Sequence, residues 1–148
     1  MRNWLMVAAV SACGLTLVVA AGASDLPAGP LHDRHELMEG IGADAKAIGG
    51  AAKTGDKAAA VAAATRMQAA AKQIPGLFPK GSLHENSRAK PEIWENWDRF
   101  VELSKDLETA AGGVLKVAAE GGELGATLGP VFATCKGCHE AFRVPEEE

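Results

Sequence analysis

The chain is expected to be all-α, folded as an antiparallel, up-down-up-down four-helix bundle. Three observations lead there. Apolar residues recur at helical spacing through four segments, and glycine- or proline-rich breaks separate those segments. The composition is rich in alanine, with only 5% aromatic residues and no tyrosine, which suits helices packed through small side chains rather than a β-sandwich. The length of 148 residues leaves room for one such domain.

The first segment obeys different rules. Met1-Arg2-Asn3 is a short positive start, Leu5 to Ala20 is almost uninterrupted apolar sequence, and Ala21-Gly22-Ala23 offers the small-x-small pattern of a signal-peptidase site. Residues 1–23 therefore read as a secretory signal and residues 24–148 as the mature domain, exported to the periplasm and not membrane-bound after cleavage. An uncleaved anchor is the alternative, against which the apolar run is slightly short. Cys13 lies too early in the apolar run to mark a lipoprotein. Cleavage removes one basic and no acidic side chain, leaving 14 basic against 19 acidic. No basic stripe for nucleic acid is present.

The first helix is expected from about Leu31 to Ala52, with Met38, Ile41, Ala45, Ile48 and Ala52 on one stripe. Thr54-Gly55 ends it, and Asp56 is placed to cap a second, mostly alanine helix running to about Ile74. Pro75-Gly76 stops that helix, and about 16 irregular residues follow, a long connection for a compact domain. Pro91 suits the first position of a third helix. Its seam is Ile93, Trp97, Phe100, Ser104, Leu107, Ala111, Val114 and Ala118, interrupted by no break stronger than Gly112-Gly113. Gly121-Gly122 ends it. The fourth helix runs from about Glu123 to Val144 with Leu124, Leu128, Val131, Cys135, Cys138 and Phe142 on its stripe, and Pro130 should kink or restart it. Short turns within each helix pair make neighbours antiparallel. Glu146-Glu147-Glu148 reads as a solvated tail.

Cys135-Lys136-Gly137-Cys138-His139 is the Cys-x-x-Cys-His signature of haem attachment. Residues three apart share a helix face, so both thiols reach the vinyl groups on one haem edge, and the next residue offers imidazole to the iron from beneath. The fold is thus expected to carry one covalently bound haem c with its iron. A thioredoxin-like pair would follow a strand and open a helix, whereas this pair lies near the end of the last helix. Zinc would need further ligands, and the mature chain has no third cysteine. A disulfide within one helical turn is geometrically awkward.

With these residues in view, the mature chain resembles the class II c-type cytochromes, which include cytochrome c′ and cytochrome c556. Arg34-His35-Glu36-Leu37-Met38 is similar to the family's opening-helix motif. Phe78-Pro79-Lys80-Gly81-Ser82 and Lys90-Pro91-Glu92-Ile93-Trp94 are similar to its loop and third-helix start, and Cys135 to Arg143 to its haem motif. The resemblance implies a four-helix bundle with haem near one end, His139 as proximal iron ligand and Met38 at the distal position. It also implies that Arg34 could contact a haem propionate and that Arg143 could tune the iron from the proximal side. Solvated arginines are the alternative.

Two functions lead on this reading, neither enzymatic; a peroxidase is a weaker third class, for which only His35 speaks. If Met38 ligates the iron, as in c556-like members, the protein is an electron carrier serving periplasmic redox partner proteins. The similarity of the Phe78-to-Ser82 loop to c556 members favours this. If Met38 only covers the iron, as a gap-filling core methionine would, the protein is c′-like and binds small gases such as nitric oxide or carbon monoxide. Met67 reads as core. His35 is a weaker distal candidate, more ordinary as an exposed residue on a charged turn, and His32 and His84 read as surface. Trp94 and Trp97 read as core and loop packing. A homodimer through the alanine-rich first and second helices is a further expectation.

Overall fold

A computed structural model describes residues 28–145 of the chain. The expected export segment, residues 1–23, and the terminal Glu146-Glu147-Glu148 lie outside the described residues. Four long helices form an antiparallel bundle: α1 (Pro30–Thr54), α2 (Lys57–Gln73), α4 (Trp97–Ala119) and α5 (Gly125–Phe142), with a one-turn helix α3 (Glu92–Glu95) leading into α4. The first two are joined by a turn in which each residue serves both ends. Pro30 occupies the first turn of α1, where its missing N–H is no loss. Gly55 ends α1 in the left-handed region at φ 73°, a conformation a Cβ would penalise. The Asp56 N–H then bonds back to the Ala51 carbonyl at 3.0 Å, while its carboxylate accepts from Ala59 N–H at 3.0 Å and caps α2.

The helices pack in the cyclic order α1, α2, α4, α5, so α2 is pressed between α1 and α4. Its inward face is Ala60, Ala63, Ala64, Met67 and Ala71, all fully buried, and Met67 is a core residue as expected. Small side chains let the three backbones approach closely. Ser104 on α4 donates to the Ala71 carbonyl of α2 at 2.6 Å, and Asp44 on α1 is buried against Arg66 on α2 at 2.6 Å. Gly112 fits the same logic, because a Cβ there would stand 3.1 Å from the Gln68 amide.

Two expectations are corrected. The third helix is not continuous from Pro91. At Asn96 the backbone leaves helical geometry (φ −121°, ψ 46°), its N–H closes α3 on the Glu92 carbonyl, and its own carbonyl accepts the first bond of α4 from Phe100. The seam survives because Ile93 and Phe100 are buried on either side of the break. Nor does Pro130 restart the last helix: α5 runs through it without interruption. Pro130 stands in the second turn, exposed, and the carbonyl it releases belongs to the exposed Ala126, so the lost hydrogen bond falls on the solvent side.

The connection between α2 and α3 is pinned rather than loose. A 3-10 turn at Pro75–Leu77 ends α2, and the Trp94 indole N–H donates to the Phe78 carbonyl at 3.0 Å. At its far end Ala89 pairs with Arg143 in an isolated antiparallel bridge.

Candidate haem site

The α1–α5 seam, by contrast, encloses a cavity of about 440 Å³ at one end of the bundle, within the size range of pockets that hold a cofactor. Met38 reaches it from α1, and Cys138 and His139 from α5; Phe78, Ile93 and Phe100 add apolar walls. Cys135, one turn before His139, is half-buried against the core. The structure thus brings the Met38 and His139 expected from the sequence to one cavity from two different helices. Phe100 organises the apolar lining: it meets Phe78 at 4.9 Å, Phe142 at 5.4 Å and Trp97 at 5.5 Å between ring centroids.

The donor set fits a haem. Two thiols share a helix face with an imidazole beside a large, mostly apolar cavity, and the thiols are unsuited to redox catalysis of their own. Burial, and then the neighbouring Cys135, push the Cys138 thiol up to about 11, and burial raises Cys135 as well. A catalytic dithiol needs the opposite, a lowered pKa. Partial burial, and next the Arg88 cation, hold the His139 imidazole below its ordinary value, the direction that favours the neutral ring a metal ligand needs.

Arg34 holds a position that the sequence did not disclose. It is only 4% exposed, and its guanidinium donates to the Leu77 carbonyl, to the Ser82 carbonyl at 3.0 Å and to the Ser82 hydroxyl. It also stacks over the Phe78 ring at 4.3 Å. A side chain from the first turn of α1 therefore holds the loop that forms one wall of the cavity. It lines the cavity too, as does Arg143. His35 is exposed and lies 3.8 Å from Glu39, on the rim. His84 is exposed, and His32 contacts Asp33 at 3.4 Å. Arg88 was missed: it lines the cavity from the loop, in a stretch with no periodicity to mark an inward face.

A family model described as Cytochrome C' matches residues 30–143. The chain is 33% identical to the cytochrome c-556 of Agrobacterium fabrum over 79% of its own length and 82% of that protein. It is 30% identical to the cytochrome c' of Rhodospirillum rubrum over 97% of its own length and 99% of that protein. Among solved structures, cytochrome c' from Rhodopseudomonas palustris superposes with a TM-score of 0.71 at 27% identity, covering 82% of this chain and 100% of the other.

Proposed function

The chain belongs to the cytochrome c′ family and carries covalent haem c with its iron; from that premise we propose that it is a periplasmic monohaem electron carrier in which His139 and Met38 ligate the iron. The observation that carries this reading is that Met38 on α1 and His139 on α5 line a single cavity. The haem supplies a one-electron change between ferric and ferrous iron. Cys135 and Cys138 would hold the haem through thioethers, and His139 and Met38 would offer an imidazole and a thioether to its iron. Methionine ligation would favour the reduced state and would leave no open position for a gas. Phe78, Ile93, Phe100 and Phe142 keep water from the iron, which limits the reorganisation each electron transfer requires. Arg34 and Arg143 line the cavity with guanidinium groups, suited to a propionate and to the proximal side respectively.

Residues 1–23 would direct export and then be removed. Among the described residues no helix is long and apolar enough to cross a membrane, consistent with a carrier that meets its redox partners in the periplasm. A homodimer through α1 and α2 belongs to the same proposal.

The second reading is a five-coordinate iron that binds nitric oxide or carbon monoxide. The similarity to a cytochrome c' over 97% of the chain favours it. One measurement separates the two: the visible spectrum of the ferrous holoprotein with and without carbon monoxide. A low-spin spectrum that carbon monoxide barely alters is expected, and Met38→Ala should convert it to a high-spin spectrum that carbon monoxide shifts at once. A wild-type protein that already responds to carbon monoxide defeats the carrier reading.

A further inference from the structure

We propose that Arg34 is the latch of the cavity: its guanidinium clamps the loop from Leu77 to Ser82 against α1 and so sets how readily a small molecule reaches the iron. Arg34 acts through the loop, as a positioning residue. The inference rests on the haem occupying this cavity, and it holds whether or not Met38 ligates the iron.

The geometry of the clamp is specific. Arg34 stands one helical turn before Met38 on α1, and both side chains line the cavity. The Arg34 Nε–H donates to the Leu77 carbonyl, one terminal N–H to the Ser82 carbonyl at 3.0 Å and another to the Ser82 hydroxyl. The hydroxyl passes the restraint on by donating to the Pro79 carbonyl at 2.5 Å. Leu77 and Ser82 bracket Phe78, whose ring centroid lies 4.3 Å from the guanidinium carbon. Phe78 is held from two further directions. The Trp94 indole donates to its carbonyl at 3.0 Å, and its ring meets Phe100 edge-on at 4.9 Å. Phe78 is thus a buried wall of the cavity that a loop supplies, and Arg34 is the tie that fastens this loop to α1. The partners of Arg34 are two carbonyls, a hydroxyl and a ring, none of them charged, so the fork of the guanidinium matters here more than its charge.

A loop opens in proportion to the weakness of the bonds that restrain it. Removing one hydrogen bond to a charged donor changes such an equilibrium about tenfold. Lysine has one nitrogen where arginine has three, and it cannot reach the Leu77 carbonyl and both Ser82 oxygens together. Two of the five guanidinium N–H groups are left for an anion in the cavity. That contact is one of charge, and lysine would keep it.

The test compares Ser82→Ala, Arg34→Gln and Arg34→Lys in a full-length holoprotein that also carries Met38→Ala, the parent, whose iron is open on either reading of the function. Ser82 does not line the cavity, so Ser82→Ala reaches the haem only through the latch. Two rates are read. One is hydrogen exchange at the Phe78 and Ser82 amides, which bond to the Pro75 and Pro79 carbonyls at 3.2 and 3.1 Å. The other is the association of carbon monoxide with the ferrous iron. Ser82→Ala should raise both rates about tenfold, and the two Arg34 variants should raise them further. Should Arg34→Gln not fold, Ser82→Ala still decides. Faster exchange with an unchanged association rate would mean that the loop is not the gate. Unchanged exchange in Ser82→Ala, or parental rates in Arg34→Lys, would mean that the arginine serves by charge alone; each of these outcomes overturns the proposal. A parent whose ferrous spectrum ignores carbon monoxide overturns the placement of the haem and this inference together, whereas the other failures, seen in a responsive parent, overturn this inference alone.

Discussion

The α2 side of the bundle and the α1–α5 seam are made from the same kind of helix, yet one is sealed and the other encloses a cavity. Around α2 the contact residues are alanines, with Ile48, Met67 and Val114 filling the remaining space, all fully buried. Side chains that end at Cβ leave nothing to hold the backbones apart, so the helices close on one another. Along the seam the facing residues are long or aromatic, including Met38, Phe78, Phe100 and Phe142, with Cys138 and His139 beside them. The Phe78 and Phe142 rings both pack on Phe100, and together with Met38, Cys138 and His139 they border the cavity. The contrast teaches a division of labour: packing density on one side lets the other remain open.

That division can be broken most completely at the cysteines. Replacing both Cys135 and Cys138 by serine should leave haem fully extractable with acidified organic solvent, whereas the wild-type protein should retain all of it. Haem that stays covalently held in the double variant would refute the attachment assignment.

The next largest effect is expected on the sealed side. Ala64→Leu inserts a branched side chain where no space exists and should cost about 1–3 kcal/mol. Denaturant unfolding would read this as a lowered midpoint, with the visible spectrum of the folded protein unchanged. Met38→Leu is its mirror image. A volume-conserving swap in the seam should cost under about 1.5 kcal/mol in the same assay, yet it should make the ferrous iron responsive to carbon monoxide. If Ala64→Leu opened the iron, or Met38→Leu left it closed, the two regions would not be separable in this way.

Smaller effects sharpen the account of how α2 is held. Ser104→Ala deletes the donor to the Ala71 carbonyl and leaves that acceptor buried, at a cost of about 1–3 kcal/mol that should fall toward the low end, because the carbonyl keeps its place in the helix. Gly112→Ala should be the mildest. Its new methyl meets only the mobile end of Gln68, so the gain in helix propensity, at most about 1 kcal/mol, should leave the protein slightly more stable by thermal unfolding. A loss of stability would show that Gln68 cannot move aside.

Much of this was legible beforehand, for reasons that can be located. Ile41, Ala45 and Ile48 on α1 and the seam from Ile93 to Ala118, apart from the half-buried Trp97, are buried where their spacing put them, because helical period and burial are two views of the same geometry. The helical placement of Cys135 to His139 was legible because the motif is local, five consecutive residues of α5. A restart at Pro130 and an unbroken third helix were expected for the opposite reason. Pro130 faces solvent, so the carbonyl it frees is not left buried, and Asn96 breaks a helix whose apolar stripe continues across it.

The amino-acid order alone determined four amphipathic helices, their antiparallel succession and the place of the Cys-x-x-Cys-His motif at the end of the last one. Only the folded chain decided which helix pair would part around the cavity, that Arg34 would be buried in holding the loop, and that Met38 and His139 would line one cavity. Those outcomes join residues far apart in the chain: Arg34 bonds to Leu77 and Ser82, 43 and 48 positions on, and Met38 shares its cavity with His139 on the last helix. Local periodicity constrains the direction of a side chain along its own helix, but it carries no information about which distant segment will meet it there.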